Sequence, residues 1–257
     1  MKQTKTPILY SNGDSVVWGA ELENKETQRF SGILSKQLGM IDCNNSSAGV
    51  SNDYIYRQTM RDVTHWLETG ECWSEESGWV ISENMFVTIG WTSPTRFEWW
   101  NGTSYQQERL WTGYDKWGTN DENLTTEDEF VLNQTEDIPS YIRTFNHILA
   151  LSSWLDLNGI GFTFFNTFYE YDLSVDIKPQ INKIDNFGRD KDQLCLDYIW
   201  KNLPKDFSTN TMYEYLKEEG GEFLPRNHPS DESHILWANY LKETRAMFVF
   251  RKTNKLK

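Results

Sequence analysis

The chain has 257 residues, 38% of them apolar and 15% aromatic, with a formal net charge of −13. That length can bury one sizeable core, and the ring content argues against global disorder. A strongly acidic surface repels phosphate backbones and anionic bilayers, so nucleic acid is not an expected partner and a neutral or cationic small molecule is.

The first element is the short apolar run Ile8-Leu9-Tyr10, a buried strand that enters a tight turn at Ser11-Asn12-Gly13-Asp14. Phe30, Ile33, Leu34 and Leu38 share one face of a helix over 27–38, and Gly39 stops it. Ile41-Asp42-Cys43-Asn44 reads as a second strand. Asn52 or Asp53 is expected to cap a helix carrying Ile55, Met60, Val63 and Trp66 that ends before Gly70. Trp79-Val80-Ile81 is a further strand signal. Met85-Phe86-Val87-Thr88-Ile89-Gly90 is a stronger one, continuous enough to be buried on both faces. From about 91 to 137 the periodicity is lost in a ring-rich and then acidic stretch, expected to be an insertion above the sheet with local helical pieces.

The clearest helix runs from Tyr141 to Leu157, with Tyr141, Ile142, Phe145, Ile148, Leu149, Ser152 and Leu155 on its packed face. Ile160 to Asn166 is another buried strand. Short helices are expected over 194–202 and 212–217, and Gly220-Gly221 opens a loop. A last helix over 230–241 should turn Ile235, Leu236, Ala238 and Leu241 inward, and 246–250 adds a strand or covers an edge. Strands alternating with helices predict an α/β fold whose parallel sheet carries helices on both faces. With no repeat and no linker, residues 1–257 are expected to form one domain.

The three cysteines, Cys43, Cys72 and Cys195, are odd in number and widely spaced, which fits neither a disulfide framework nor a zinc site. A reduced, cytoplasmic location is the expectation. The first residues do not have the form of a signal peptide, and no apolar run reaches bilayer length, so membrane insertion is not expected. The acidic residues of 121–137 do not have calcium-loop spacing, and no phosphate-binding glycine loop or metal cluster is present.

The chemistry is expected at Gly13-Asp14-Ser15, just past the first strand, where the carboxyl ends of parallel strands form sites. A serine there exposes its hydroxyl while its N–H, at a helix start, favours an oxyanion. Taken alone, the tripeptide reads first as a glycine turn in which Asp14 bonds the backbone and Ser15 caps the helix. A serine nucleophile needs a base, and Asn227-His228-Pro229-Ser230-Asp231-Glu232-Ser233-His234 holds two histidines ahead of the last helix. Ser230 caps that helix and leaves His228 in the loop. His65 and His147 read as structural. Arg96 and Glu98 belong either to the site or to an ordinary surface pair.

Together these pieces resemble the SGNH (GDSL-like) hydrolase superfamily: Gly13-Asp14-Ser15 after a first strand, and a His228-Pro229 loop before a final helix with Trp237-Ala238-Asn239-Tyr240-Leu241. Ser47-Ala48-Gly49-Val50-Ser51-Asn52-Asp53 is similar to the second block, and the run ending Ile89-Gly90 to the third. The form Gly90-Trp91-Thr92-Ser93 is similar to SGNH-like products of tailed phages.

The resemblance implies a three-layer α/β/α, flavodoxin-like fold and an ester hydrolase with Ser15 as nucleophile. His228 would be its base, and the N–H groups of Ser15 and Gly49 its oxyanion donors. No cofactor or metal is implied. The third block departs from the family, with Thr92 where an asparagine is usual, so Thr92, Ser93 or Asn52 is expected to supply the missing donor. The acid departs as well. Pro225 stands three residues before His228, whereas Asp231 and His234 have the family's spacing, which leaves His234 with Asp231 as the other assignment. The rings of 91–117 suggest stacking on sugars and a carbohydrate deacetylase; a lid or satellite core is the alternative. A non-catalytic or weakly active binding protein on the same fold is the rival reading. The oligomeric state is not legible.

Overall fold

The computed structural model describes residues 6–75, 77–94, 96–100, 103–109, 137–168 and 211–244. Four parallel strands form the central sheet in the order β2-β1-β5-β8: β1 is Ile8–Gly13, β2 Ile41–Asn44, β5 Met85–Trp91 and β8 Gly161–Asn166. The chain steps from β1 to one side for β2, then crosses to the other side for β5. The strand order therefore reverses between β1 and β5, where open α/β sheets place their crevice.

Alternation along each strand divides the core into two layers. Ile8, Tyr10, Val87, Ile89 and Phe164 face α4 (Asn52–Thr69) and α5 (Asp137–Leu157). Leu9, Phe86 and Phe165 face α1 (Ser15–Trp18), α3 (Phe30–Leu38), α6 (Met212–Glu218) and α7 (Asp231–Thr244). Every residue of β5 is buried, as its unbroken apolar run predicts. The expected three layers are present.

Most elements lie where the periodicity puts them, with local differences. The helix expected over 27–38 is split into α2 (Lys25–Gln28) and α3, because extended Arg29 serves as C-cap of one and N-cap of the other. Ser51, not Asn52 or Asp53, caps α4: its hydroxyl accepts the Tyr54 N–H. The Trp79 run belongs to a separate antiparallel pair, β3 (Glu71–Ser74) with β4 (Gly78–Ile81). The segment expected to be an aperiodic insertion begins with a hairpin, β6 (Arg96–Trp100) and β7 (Tyr105–Arg109).

In α7, Ile235 is 45% exposed rather than inward, while Trp237, Ala238 and Leu241 fill the core. Its cap is Ser230, whose hydroxyl accepts the Ser233 N–H. The expected helix over 194–202, the terminal strand, Cys195 and nearly all of the acidic stretch fall outside the described residues. Cys43 and Cys72 are free and buried. Among the described residues no helix is long and apolar enough to cross a membrane, and no group of three or more His, Cys, Asp or Glu could hold a metal ion.

Candidate active site at the sheet crossover

Gly13 and Gly90 lie opposite each other at the carboxyl ends of β1 and β5. A Cβ on Gly13 would lie 2.3 Å from Val17 Cγ2 and 2.8 Å from the Gly90 carbonyl oxygen; one on Gly90 would lie 2.4 Å from the same methyl. Both glycines are therefore required so that α1 can sit directly on the sheet ends. Asp14, fully buried, caps α1 by accepting the Val16 N–H at 3.0 Å. Ser15 is the first residue of that helix and is partly exposed. Since α1 is one turn long, its dipole contributes little. What matters is that neither the Ser15 N–H nor its hydroxyl bonds to another described residue.

The loop after β2 is drawn to this turn. Asn45 N–H donates to the Ser11 carbonyl at 2.8 Å and Ser47 N–H to the Gly13 carbonyl at 3.2 Å. The Asn44 amide reaches the Val17 carbonyl at 3.0 Å, tying the loop to α1 as well. Two residues beyond Ser47, Gly49 is buried with φ +77°, a conformation costly for any side chain. Its N–H also has no bond to a described residue. The Ser15 N–H and, two residues past the Ser47–Gly13 bond, the Gly49 N–H are thus open backbone donors in the two segments that this bond joins.

The other expected donors are committed elsewhere. Thr92 gives its hydroxyl proton to Asp14 Oδ2 at 2.7 Å, and Thr167 and Arg96 reach the same oxygen at 3.2 and 3.4 Å. Asn52 is buried; its amide donates to the Thr92 carbonyl at 3.0 Å and Thr144 Oγ1 at 3.2 Å, and its oxygen accepts the Thr92 N–H at 2.9 Å. Asn52 thus clamps the end of β5. Ser93 is buried beside it, and its carbonyl accepts the Arg96 N–H. Arg96 and Glu98 do not pair with each other: Arg96 lies on Asp14, and Glu98 takes Arg57 at 2.8 Å.

The two histidines separate clearly. His234 is fully buried, stacked on Phe30, and its Nδ1 accepts the Phe30 N–H at 3.2 Å. Burial pushes its pKa down to about 3, so the ring stays neutral and structural. Asp231 does not bond to it; the carboxylate accepts Gln28 Nε2 at 3.4 Å. The expected pairing of Asp231 with His234 is thus not made. His228 lies in the loop with 17% of its side chain exposed, and its Nδ1 is 2.7 Å from Glu21 Oε2.

Glu21 is a residue the spacing of the family blocks does not point to. It follows α1, holds φ +67°, and accepts the Arg226 N–H at 3.2 Å with the oxygen that meets His228. The hydrogen bond from His228 holds its carboxyl below the usual carboxylate range. Ala20 N–H, one residue before it, donates to the Ser15 carbonyl at 2.9 Å. The His228 loop is therefore fastened to the segment that carries Ser15, although no direct bond joins Ser15 to His228.

Between α4, β6 and α5 an open cleft of about 530 Å³ is lined by Asp53, Tyr56, Arg57, Met60, Glu98 and His147; neither Ser15 nor His228 lines it. Burial and the Arg143 guanidinium push the His147 pKa down to about 4, so its ring is neutral at pH 7. Trp91, expected among the sugar-stacking rings, is fully buried against Phe164 and cannot reach a ligand.

No family model and no curated protein matches the chain. Solved structures of similar course include an acetylxylan esterase, Axe2, from Geobacillus stearothermophilus, with 14% identity, 94% of each chain covered and a TM-score of 0.45. Another is a member of the lipolytic G-D-S-L family from Veillonella parvula, with 12% identity, 95% of this chain and 100% of that one covered, and a TM-score of 0.42. A third is a two-domain esterase active on acetylated mannans, with 11% identity, 94% of this chain and 50% of that one covered, and a TM-score of 0.45.

Proposed function

We propose that the chain is a serine-dependent ester hydrolase of the SGNH kind, centred on Ser15. The observation that carries this reading is the conjunction at the sheet crossover of an unbonded serine hydroxyl with two unbonded backbone N–H groups, of Ser15 and Gly49. Buried N–H groups are almost always paired, so the open N–H of buried Gly49 fits an oxyanion donor; the Ser15 N–H, open as at any helix start, would be the second.

In the reaction Ser15 Oγ attacks the ester carbonyl carbon while His228 Nε2 takes its proton. The carbonyl oxygen, now an anion, lies on the two N–H groups. The carbon–oxygen bond to the alcohol breaks, and His228 returns the proton to the departing alkoxide. Water, deprotonated by His228, then releases the acyl group and restores Ser15. Apart from that water, these steps use only the chain's own residues.

For the substrate we favour an acetylated carbohydrate. The cleft between α4, β6 and α5 mixes Tyr56 and Met60 with Asp53, Arg57 and Glu98, a combination of apolar and hydrogen-bonding groups that suits a sugar ring better than a long acyl chain. The commitment of Thr92 and Asn52 to structural bonds favours a second reading, a weakly active or non-catalytic binder, because losing one oxyanion donor costs roughly a hundredfold in rate.

Release of p-nitrophenol from its acetate and butyrate esters, and of acetate from acetylated xylan and mannan oligosaccharides, separates the two. Activity of the wild type that vanishes in Ser15→Ala supports the hydrolase. Equal inertness of both proteins on every ester, with retained binding of the oligosaccharides, establishes the binder.

A further inference from the structure

We infer that Glu21 replaces the family's acidic residue: it holds His228 with its proton on Nδ1, leaving Nε2 bare to act as the base. The inference rests on the hydrolase reading above and names a positioning residue for it.

Three observations carry it. The 2.7 Å contact is between a ring nitrogen and an oxygen of a carboxylate that is ionised at neutral pH, an acceptor only. The ring nitrogen must therefore be the donor, which fixes the tautomer of a neutral His228. Glu21 is also one of only two non-glycine residues with positive φ among those described. The other is Asn227, beside His228. Strained backbone on both sides of one hydrogen bond is a cost that the rest of the fold holds in place, as at sites where geometry matters more than stability. Finally, the positions where an acid would be expected are unavailable: Pro225 has no carboxylate, and Asp231 faces Gln28.

When Ser15 gives its proton to Nε2, the imidazolium has the Glu21 carboxylate on its far side. The negative charge stabilises the cation until the proton passes to the leaving alkoxide. Glu21 itself gains no proton in the cycle. The acid is thus supplied from the loop after the nucleophile helix rather than from the position three residues upstream of the histidine.

The competing role for Glu21 is a tether, since the same oxygen accepts the Arg226 N–H. Glu21→Gln keeps an oxygen for that N–H and removes the charge. Glu21→Asp keeps the charge on a shorter stem, and Glu21→Ala removes both. Each is compared with wild type, Ser15→Ala and His228→Ala by p-nitrophenyl acetate turnover, thermal melting and long-range ¹H–¹⁵N spectra of the labelled imidazole.

In Glu21→Ala and Glu21→Gln, kcat is expected to fall on the order of 10²–10⁴-fold with KM changed less than about threefold. Glu21→Asp should recover at least about tenfold of that loss. The wild-type spectrum should show the Nδ1–H form, and Glu21→Ala a shift toward Nε2–H. Wild-type kcat in the Gln and Ala variants, with Ser15→Ala inert, overturns the role of Glu21 and leaves the hydrolase standing. An Nε2–H tautomer in the wild type does the same. Turnover by Ser15→Ala equal to wild type overturns both. Should Glu21→Ala fail to fold, the Gln and Asp variants decide.

Discussion

The buried carboxylate of Asp14 accepts the Thr92 hydroxyl at 2.7 Å, so that hydroxyl is committed to the end of β1 and, on the proposed mechanism, is not an oxyanion donor. Thr92→Val removes one hydrogen bond to a buried charge. Stability should fall by about 1.5–3 kcal/mol. The turnover number should fall much less than the roughly hundredfold expected for a lost oxyanion donor. Urea unfolding and esterase assays on the same preparation check this. A hundredfold loss of turnover at unchanged stability would return the hydroxyl to the oxyanion.

The close approach of α1 to the sheet makes Gly90 and Val17 a coupled pair. Gly90→Ala places a methyl 2.4 Å from Val17 Cγ2 and 3.0 Å from the Phe165 ring. A loss of about 1–3 kcal/mol is expected from overpacking. Val17→Ala alone leaves a cavity and also destabilises. Together the two should cost less than their sum, because each relieves the other. A double-mutant cycle in urea measures the coupling, and strict additivity would contradict this account.

His234 makes stability depend on pH in a definite sense. Its folded pKa is about 3, below the ordinary value of 6.5. Between those values the unfolded chain binds a proton that the folded chain refuses. The contribution is therefore fully present above about pH 6.5 and is lost as pH falls toward 3, at up to about 1.4 kcal/mol per pH unit. His234→Asn keeps an acceptor for the Phe30 N–H and removes the titration. Unfolding midpoints from pH 7 to 4 should show a shallower slope for the variant. Parallel slopes would place the proton uptake on other groups.

Arg29 is buried between α2 and α3, with its guanidinium 2.9 Å from Asp42 and 2.8 Å from Glu75. Burial pushes the Asp42 carboxyl up against the pull of Arg29. Arg29→Ala strands that carboxylate and should cost about 3–5 kcal/mol, whereas Arg29→Met with Asp42→Leu should recover most of the loss. Guanidinium unfolding of the single and double variants tests this.

Much of the fold is legible in the residue pattern. Leu9 alternates between Ile8 and Tyr10, and Met85 to Gly90 is unbroken, so the two-sided burial of the sheet follows from local chemistry. Caps are less legible. Ser51 is preferred over Asn52 because the side chain of Asn52 is drawn to Thr92 and Thr144, contacts that local sequence does not reveal. Ile235 satisfies a helical apolar pattern yet is exposed, because the stripe carrying Trp237, Ala238 and Leu241 is the one packed into the core.

The sequence by itself determined the parallel α/β order, the position of Ser15 after the first strand, and the glycines that bring α1 and the Gly49 loop to the crossover. Those depend on periodicity and on backbone freedom, which are local properties. Only the tertiary structure separated His228 from His234, committed Thr92 and Asn52 to other bonds, and placed Glu21 on His228 across 207 positions of chain. A hydrogen bond between two loops depends on how the whole core sets their distance. No spacing rule along the chain carries that information.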